Sequence, residues 1–241
     1  FQLLANAPLA EFNFAMLGGY FVTEVVTYAV GFLIARRVFK TDVMEAALLG
    51  LAIALSNHIL FVLPIAVTLF GETAAMPIVA IISMDGILIF SGSLILMDVL
   101  STKGASLGHT LGKITRNPPL VAMVLGLVIG LLGVSVPTGF DVFADFLGAT
   151  ASPVLLFALG VILSQKAGGA RPMLPVAITA VKLVVHPLLA WAIFSGVLQL
   201  TPEVRNPAMM VAAAPCGAMA FMLALNYGVR VDAIARAVLY S

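Results

Sequence analysis

The chain has 241 residues, of which 62% are hydrophobic and only 10% charged, and its mean hydropathy is +1.15. Soluble domains carry about 25% charged residues, so a soluble globular enzyme, a nucleic-acid binder and a disordered chain are all excluded. What remains is an all-α polytopic membrane protein, lying in a lipid bilayer. The twelve Lys and Arg nearly cancel the eleven Asp and Glu, so there is no basic footprint for nucleic acid. Long unbroken apolar runs, in place of alternating segments of ~10 residues, exclude a transmembrane β-barrel.

A helix needs about 20 apolar residues to cross the hydrocarbon core. The sequence predicts eight such spans, at about 14–39, 46–70, 77–98, 118–136, 142–165, 173–199, 206–227 and 231 onward. The links are short, the longest being 99–117. Arg36, Arg37 and Lys40 follow the first span, Lys103, Lys113 and Arg116 the third, Lys166 and Arg171 the fifth, and Arg230 the seventh. By the bias of basic loops toward the cytoplasm, this side is assigned as cytoplasmic, with a bacterial inner (plasma) membrane as the expected location. Opposite them stands Arg205, beside the acidic Glu72, Asp141 and Glu203. The chain opens at Phe1 without a Met and stops inside an apolar run at Ser241, which reads as a piece of a longer protein. The single Cys216 cannot form an internal disulfide. No CxxC or HExxH spacing occurs, and neither metal nor cofactor is expected.

Two spans are interrupted. The second carries Ser56, Asn57 and His58 near its middle, followed by Pro64, and the seventh carries Pro215-Cys216-Gly217 at its centre. Proline removes a backbone donor and clashes one turn back. In lipid the freed groups must be satisfied inside the protein. A simple kink would account for one such span. Two at matching places point further: Glu24 precedes Asn57 by 57 − 24 = 33 residues, and Lys182 precedes Pro215 by 215 − 182 = 33. The two copies are five spans apart, which gives them opposite orientations. Inverted repeats whose broken helices meet at mid-membrane are the mark of secondary transporters, and half-helix N-termini attract anions.

At these residues the chain resembles the auxin efflux carrier family, which includes plant PIN-type carriers and bacterial organic-acid permeases. The spacing Asn57-x6-Pro64-x6-Gly71, followed by Glu72, resembles the family's first crossover helix, and Ala214–Gly228 its second. Arg116-Asn117-Pro118 resembles the start of the family's second half, and Ser152–Leu163 a small-residue motif in the next span. The resemblance implies two inverted five-helix repeats and an elevator-like alternating-access motion. On that template, 1–98 is the first repeat without its first two spans, holding crossover helix 46–70. The segment 99–117 is a short cytoplasmic central loop, and 118–165 supplies scaffold spans. Finally, 166–241 supplies the second set of transport-unit spans, with crossover helix 206–227 and a truncated last span. The resemblance also implies a small organic anion as substrate, such as malonate, malate or an auxin-like acid, and a homodimer.

Several residues are candidates for the chemistry. Asn57 aligns with the family's crossover asparagine and can donate to a carboxylate at the break; the alternative is that it only caps the broken helix. Pro64, Gly71 and Pro215 shape the crossover. Cys216 and Gly217 lie beside any substrate there, and Gly217 permits close backbone approach. Glu24, Asp85 and Lys182 are ionisable groups inside spans, where such groups are costly and functional by default. They are candidates for charge balance or ion coupling, with Asp85 also a substrate candidate; the alternative is that an acid pairs with Lys182 and only holds helices together. Phe90 falls where an aromatic lines the plant pocket, with plain packing as the alternative. His58 and Ser152 are further candidates, His186-Pro187 is expected to be a kink, and Asp98 is expected to reach water near a span end. Two other readings remain open. One is a sodium- or proton-coupled symporter of the bile-acid carrier type; the other is a non-transporting membrane sensor. An intramembrane enzyme lacks the nucleophile, metal pair or paired aspartates it would need.

Overall fold

The computed structural model describes residues 1, 5, 11–101, 112, 116, 118–164 and 171–241. The expectations resting on Lys103, Lys113, Asn117 and Lys166, most of the link 99–117, and the side chain of Ser152 lie outside the described residues.

The described chain is helical. Helix α1 (Phe14–Leu33) continues through a widened π turn, Ile34–Val38. Its start is set by Asn13, whose side chain accepts from the Met16 amide at 2.9 Å, satisfying one of the N-terminal donors a helix leaves open. Helix α2 (Val43–Ala54) starts in the same way, with Asp42 accepting from the Glu45 amide at 2.9 Å. The chain then breaks at 55–57 and resumes through a π turn, His58–Val62, into α3 (Leu63–Phe70), with Pro64 in its first turn. The wider π turn ahead of it accommodates proline, whose ring would clash with the carbonyl one turn back in a regular α-helix. Gly71 ends α3 at φ 81°, a left-handed conformation that favours glycine.

Helix α4 (Ala75–Met84), the π turn Asp85–Phe90 and α5 (Ser91–Ser101) form one continuous span. Next come α6 (Pro118–Leu132) and the 27-residue α7 (Thr138–Ser164). Helix α8 (Met173–Ala180), the π turn Val181–Val185, α9 (His186–Trp191) and a second π turn, Ala192–Val197, form another. Helices α10 (Pro202–Ala213) and α11 (Met219–Asn226) are again two halves with a break between them, and α12 (Asp232–Tyr240) follows. Among the described residues, three continuous stretches are long and apolar enough to cross a membrane, namely Phe14–Val38, Ala75–Ser101 and Met173–Val197.

Packing divides the body into two apolar halves. One gathers Ala35, Leu49, Ile53, Leu94, Ile178, Phe221 and Ile234. The other gathers Met16, Tyr20, Ile78, Ile81, Phe194 and Val211. Within lipid, helices associate through close packing more than through apolar burial, so small residues mark the contacts. Helices α1 and α2 meet this way: a Cβ on Gly50 would lie 2.8 Å from the Tyr28 carbonyl oxygen, and one on Gly31 would strike Ile53. The basic residues of three links meet at one end, where Arg171 reaches both Glu45 (3.4 Å) and the Lys40 carbonyl (3.2 Å), and a small cavity is lined by Glu45, Arg171, Arg230, Asp232 and Arg236. Asp98, expected to reach water, is buried instead and accepts from the Tyr227 hydroxyl at 2.8 Å.

Candidate functional site

The two breaks cross each other. Residues Ser56 and Cys216 pair as an isolated antiparallel bridge. The Asn57 amide donates to the Pro215 carbonyl at 3.0 Å, and the Gly217 amide donates to the Leu55 carbonyl at 2.8 Å. Each interrupted helix thus satisfies the other's freed backbone groups, as an apolar surrounding requires. The approach is close because Gly217 has no side chain. A Cβ there would lie 3.1 Å from both the Leu55 carbonyl oxygen and its Cβ. The positive ends of two half-helices, beginning at His58 and Met219, therefore start from one point.

Asn57 sits at this point, half-buried, in the N-cap position of the π turn. Its side chain makes no capping bond. The residue is thus held through its backbone, and among the described residues its side-chain amide is not used for capping. Cys216 is buried and its amide donates to the Ser241 hydroxyl at 2.9 Å. Pro215 contributes its carbonyl to the crossing, while Pro64 is exposed in the first turn of α3. Phe90 is buried in the same apolar half as Leu55 and Cys216.

A polar layer lies between the two apolar halves, level with the crossing. Lys182 is fully buried. Its Nζ donates to Ser56 Oγ at 2.6 Å and stands 3.0 Å from His186 Nδ1. Ser56 Oγ donates in turn to the Val211 carbonyl of α10 at 2.7 Å. One hydroxyl therefore links the lysine, the first broken helix and the second. On its other ring face, His186 Nε2 lies 3.3 Å from Thr23 Oγ1, which donates to the Tyr20 carbonyl at 2.7 Å. Lys182 makes no ion pair with Glu24 or Asp85 among the described residues; Asp85 Oδ2 lies instead 2.9 Å from His58 Nε2. That contact is close but not aligned as a hydrogen bond. Glu24 is fully buried, and among the described residues neither of its carboxylate oxygens has a hydrogen-bond donor. Its charged neighbours are Asp85 and Lys182.

The structure brings Glu24, His58, Asp85 and Lys182 together in this layer, beside Asn57. Sequence reasoning missed Tyr20, Thr23, Ser56 and His186. The last was read as part of a kink, because its neighbour Pro187 dominates the local signal. A usable signal was the spacing of Lys182 and His186, four residues apart and so on one helix face. Asp85 and His58 each open a π turn and Lys182 lies inside one; such turns recur at functional sites.

A crossing of broken helices with buried charges behind it is transporter architecture. Residues 104–241 match the family described as membrane transport protein, more than half of the chain. The chain belongs to this family, that of the auxin efflux carriers. It is also 26% identical over 238 residues to a protein of Rhizobium meliloti (strain 1021) named "Putative malonate transporter", with 95% of this chain and 73% of the relative covered. It is thus an integral membrane protein of a transport family and not an enzyme.

Proposed function

We propose that this membrane transport protein carries small organic anions, dicarboxylates such as malonate foremost, by elevator-type alternating access. The observation that carries the reading is the crossing itself: the Asn57 side chain, which makes no capping bond, at the meeting point of two half-helix N-termini, with the buried ammonium of Lys182 one hydroxyl behind it. Helix N-termini and an amide donor suit a carboxylate, and Lys182 offsets its charge through Ser56. The relative's printed name supports malonate as the first anion to offer. In this reading the spans of 14–98 and 173–241 move together, and α6 and α7 belong to the static scaffold. Large apolar side chains on that pair, such as Val124, Phe146 and Phe157, are exposed and would face lipid, the remaining scaffold or a second copy. The basic end, with Arg36 and Arg171, faces the cytoplasm.

The test is uptake of labelled malonate, malate and indole-acetate into proteoliposomes holding the full-length protein. Saturable uptake of one acid, lost in Asn57→Ala while the variant keeps its thermal stability, is the expected result. Uptake unchanged by Asn57→Ala would move the site away from the crossing. No uptake of any acid would remove the substrate class.

A further inference from the structure

The hydrogen bonds around His186 have a direction, and that direction fixes the state of its ring. Thr23 has one hydroxyl hydrogen, which it donates to the Tyr20 carbonyl at 2.7 Å. The Thr23 oxygen, 3.3 Å from His186 Nε2, can therefore only accept from the ring, so Nε2 carries a proton. On the other side of the ring, Lys182 Nζ stands 3.0 Å from Nδ1. An ammonium only donates, so Nδ1 is bare. Two partners on different helices thus demand the same neutral tautomer.

The same reasoning continues through Ser56. Its hydroxyl hydrogen goes to the Val211 carbonyl at 2.7 Å, so its oxygen accepts from Lys182 Nζ at 2.6 Å. Two paths therefore leave the ammonium. One runs through Ser56 to α10 and the other through the His186 ring to α1, and each ends on a backbone carbonyl. Lys182 and His186 are both fully buried. A flipped ring or a turned hydroxyl would leave a buried donor or acceptor unmatched, at the cost of its desolvation. Packing holds the ring in place as well. The His186 amide reaches back five residues to the Val181 carbonyl and closes the π turn that contains Lys182. The ring lies against Tyr20 with centroids 5.7 Å apart, and Tyr20 in turn stacks on Phe194 at 6.4 Å.

An ammonium on a flexible four-carbon stem can turn to other partners. Glu24 and Asp85 share the buried layer, yet among the described residues neither forms an ion pair with Lys182. We propose that His186 is a positioning residue of the carrier: its bare Nδ1 holds the Lys182 ammonium against Ser56, and so keeps the positive charge at the crossing where the anion binds. The inference rests on the anion-carrier reading and adds a residue to its site. Without that acceptor the ammonium is released toward the carboxylates, and the crossing loses the charge that offsets its ligand.

The experiment is solid-state NMR of the full-length protein in liposomes, with isotopically labelled histidine and lysine, beside malonate uptake. The His186 ring is assigned through a labelled carbonyl on Val185, the residue before it. Nε2 is expected to be protonated and Nδ1 bare, with Nδ1 in contact with a lysine nitrogen. A protonated Nδ1, or no lysine contact, would overturn the proposal. In uptake, two variants divide the ring's roles. His186→Asn keeps an acceptor near the place of Nδ1 and loses the donor to Thr23. His186→Gln keeps a donor near the place of Nε2 and loses the acceptor to Lys182. The Gln variant is expected to raise the malonate KM by about tenfold or more at unchanged maximal rate, the loss of one bond to a charged group. The Asn variant is expected to stay near the unmodified KM. A residue that only fills space would give both variants the same KM, and that equality in two folded variants would overturn the proposal. If the variants do not fold, the NMR of the unmodified protein decides by itself. The expected ring with no acid taken up would uphold the placement of Lys182 and sink the anion reading; malonate uptake with Nδ1 protonated would do the reverse.

Discussion

Gly217→Ala tests whether the crossing is held by close backbone contact. The new Cβ would lie 3.1 Å from the Leu55 carbonyl oxygen, 3.1 Å from its Cβ and 3.2 Å from its carbonyl carbon. Two of the three are backbone atoms, so no flexible side chain can swing aside. The strands must part by a few tenths of an ångström, and the Gly217 to Leu55 hydrogen bond of 2.8 Å stretches with them. Overpacking of this kind costs about 1–3 kcal/mol. For a chain of this length each kcal/mol moves the midpoint by about 2–4 °C, so a drop of about 2–12 °C is expected. The assay is thermal unfolding of purified protein in detergent, with malonate uptake measured alongside. Gly18→Ala is the control, since nothing lies within 4 Å of its added Cβ and alanine is the better helix former by about 0.5–1 kcal/mol. If Gly217→Ala unfolds at or above the Gly18→Ala midpoint, the strands at the crossing are not in the contact described, and the ligand point built on it falls.

Lys182→Met removes the 2.6 Å bond to Ser56 Oγ and should destabilise the protein by about 1.5–3 kcal/mol, the range for bonds to charged groups; Ser56→Ala added to it should cost less than Ser56→Ala alone in the same unfolding assay, whereas additive losses would show that the two groups are not coupled. Tyr227→Phe removes the 2.8 Å bond to Asp98 and should cost about 1.5–3 kcal/mol, the range for bonds to charged groups; an unchanged midpoint would mean that the hydroxyl contributes nothing. Burial pushes the Glu45 carboxyl above its usual value of 4.5, with Arg171 acting against it. A carboxyl raised on folding favours the folded state below the unfolded value, and that contribution is lost as pH rises through the folded value. The midpoint should therefore fall on going upward from pH 4.5, and Glu45→Gln should flatten that part of the profile; an identical slope in the variant would refute the assignment.

Much of the architecture is legible along the chain because the signals are local. An apolar run of about 20 residues is a span wherever it lies, and the structure places continuous helix at Phe14–Val38, Ala75–Ser101 and Met173–Val197, close to the expected 14–39, 77–98 and 173–199. Pro215 breaks its helix because proline lacks the backbone donor and clashes one turn back, and Ser56 and Asn57 disfavour a helix interior because their side chains compete for backbone hydrogen bonds. The ionisable residues Glu24, Asp85 and Lys182 stand out because their burial in lipid is costly at any position.

What the sequence could not decide is who meets whom. A pairing of Lys182 with an acid was one of two alternatives open from the sequence, and its bonds go to Ser56, 126 positions away, and to His186. Asp85 faces His58, not the lysine. Each π turn inserts an extra residue into the helix and rotates all that follows, so a projection at 3.6 residues per turn misplaces the side chains beyond it. Asp85, His58 and Lys182 all lie in such turns. The pairing of the breaks is likewise a tertiary fact. The freed amides of Asn57 and Gly217 needed acceptors, and only the crossing of two distant segments supplied the carbonyls of Pro215 and Leu55.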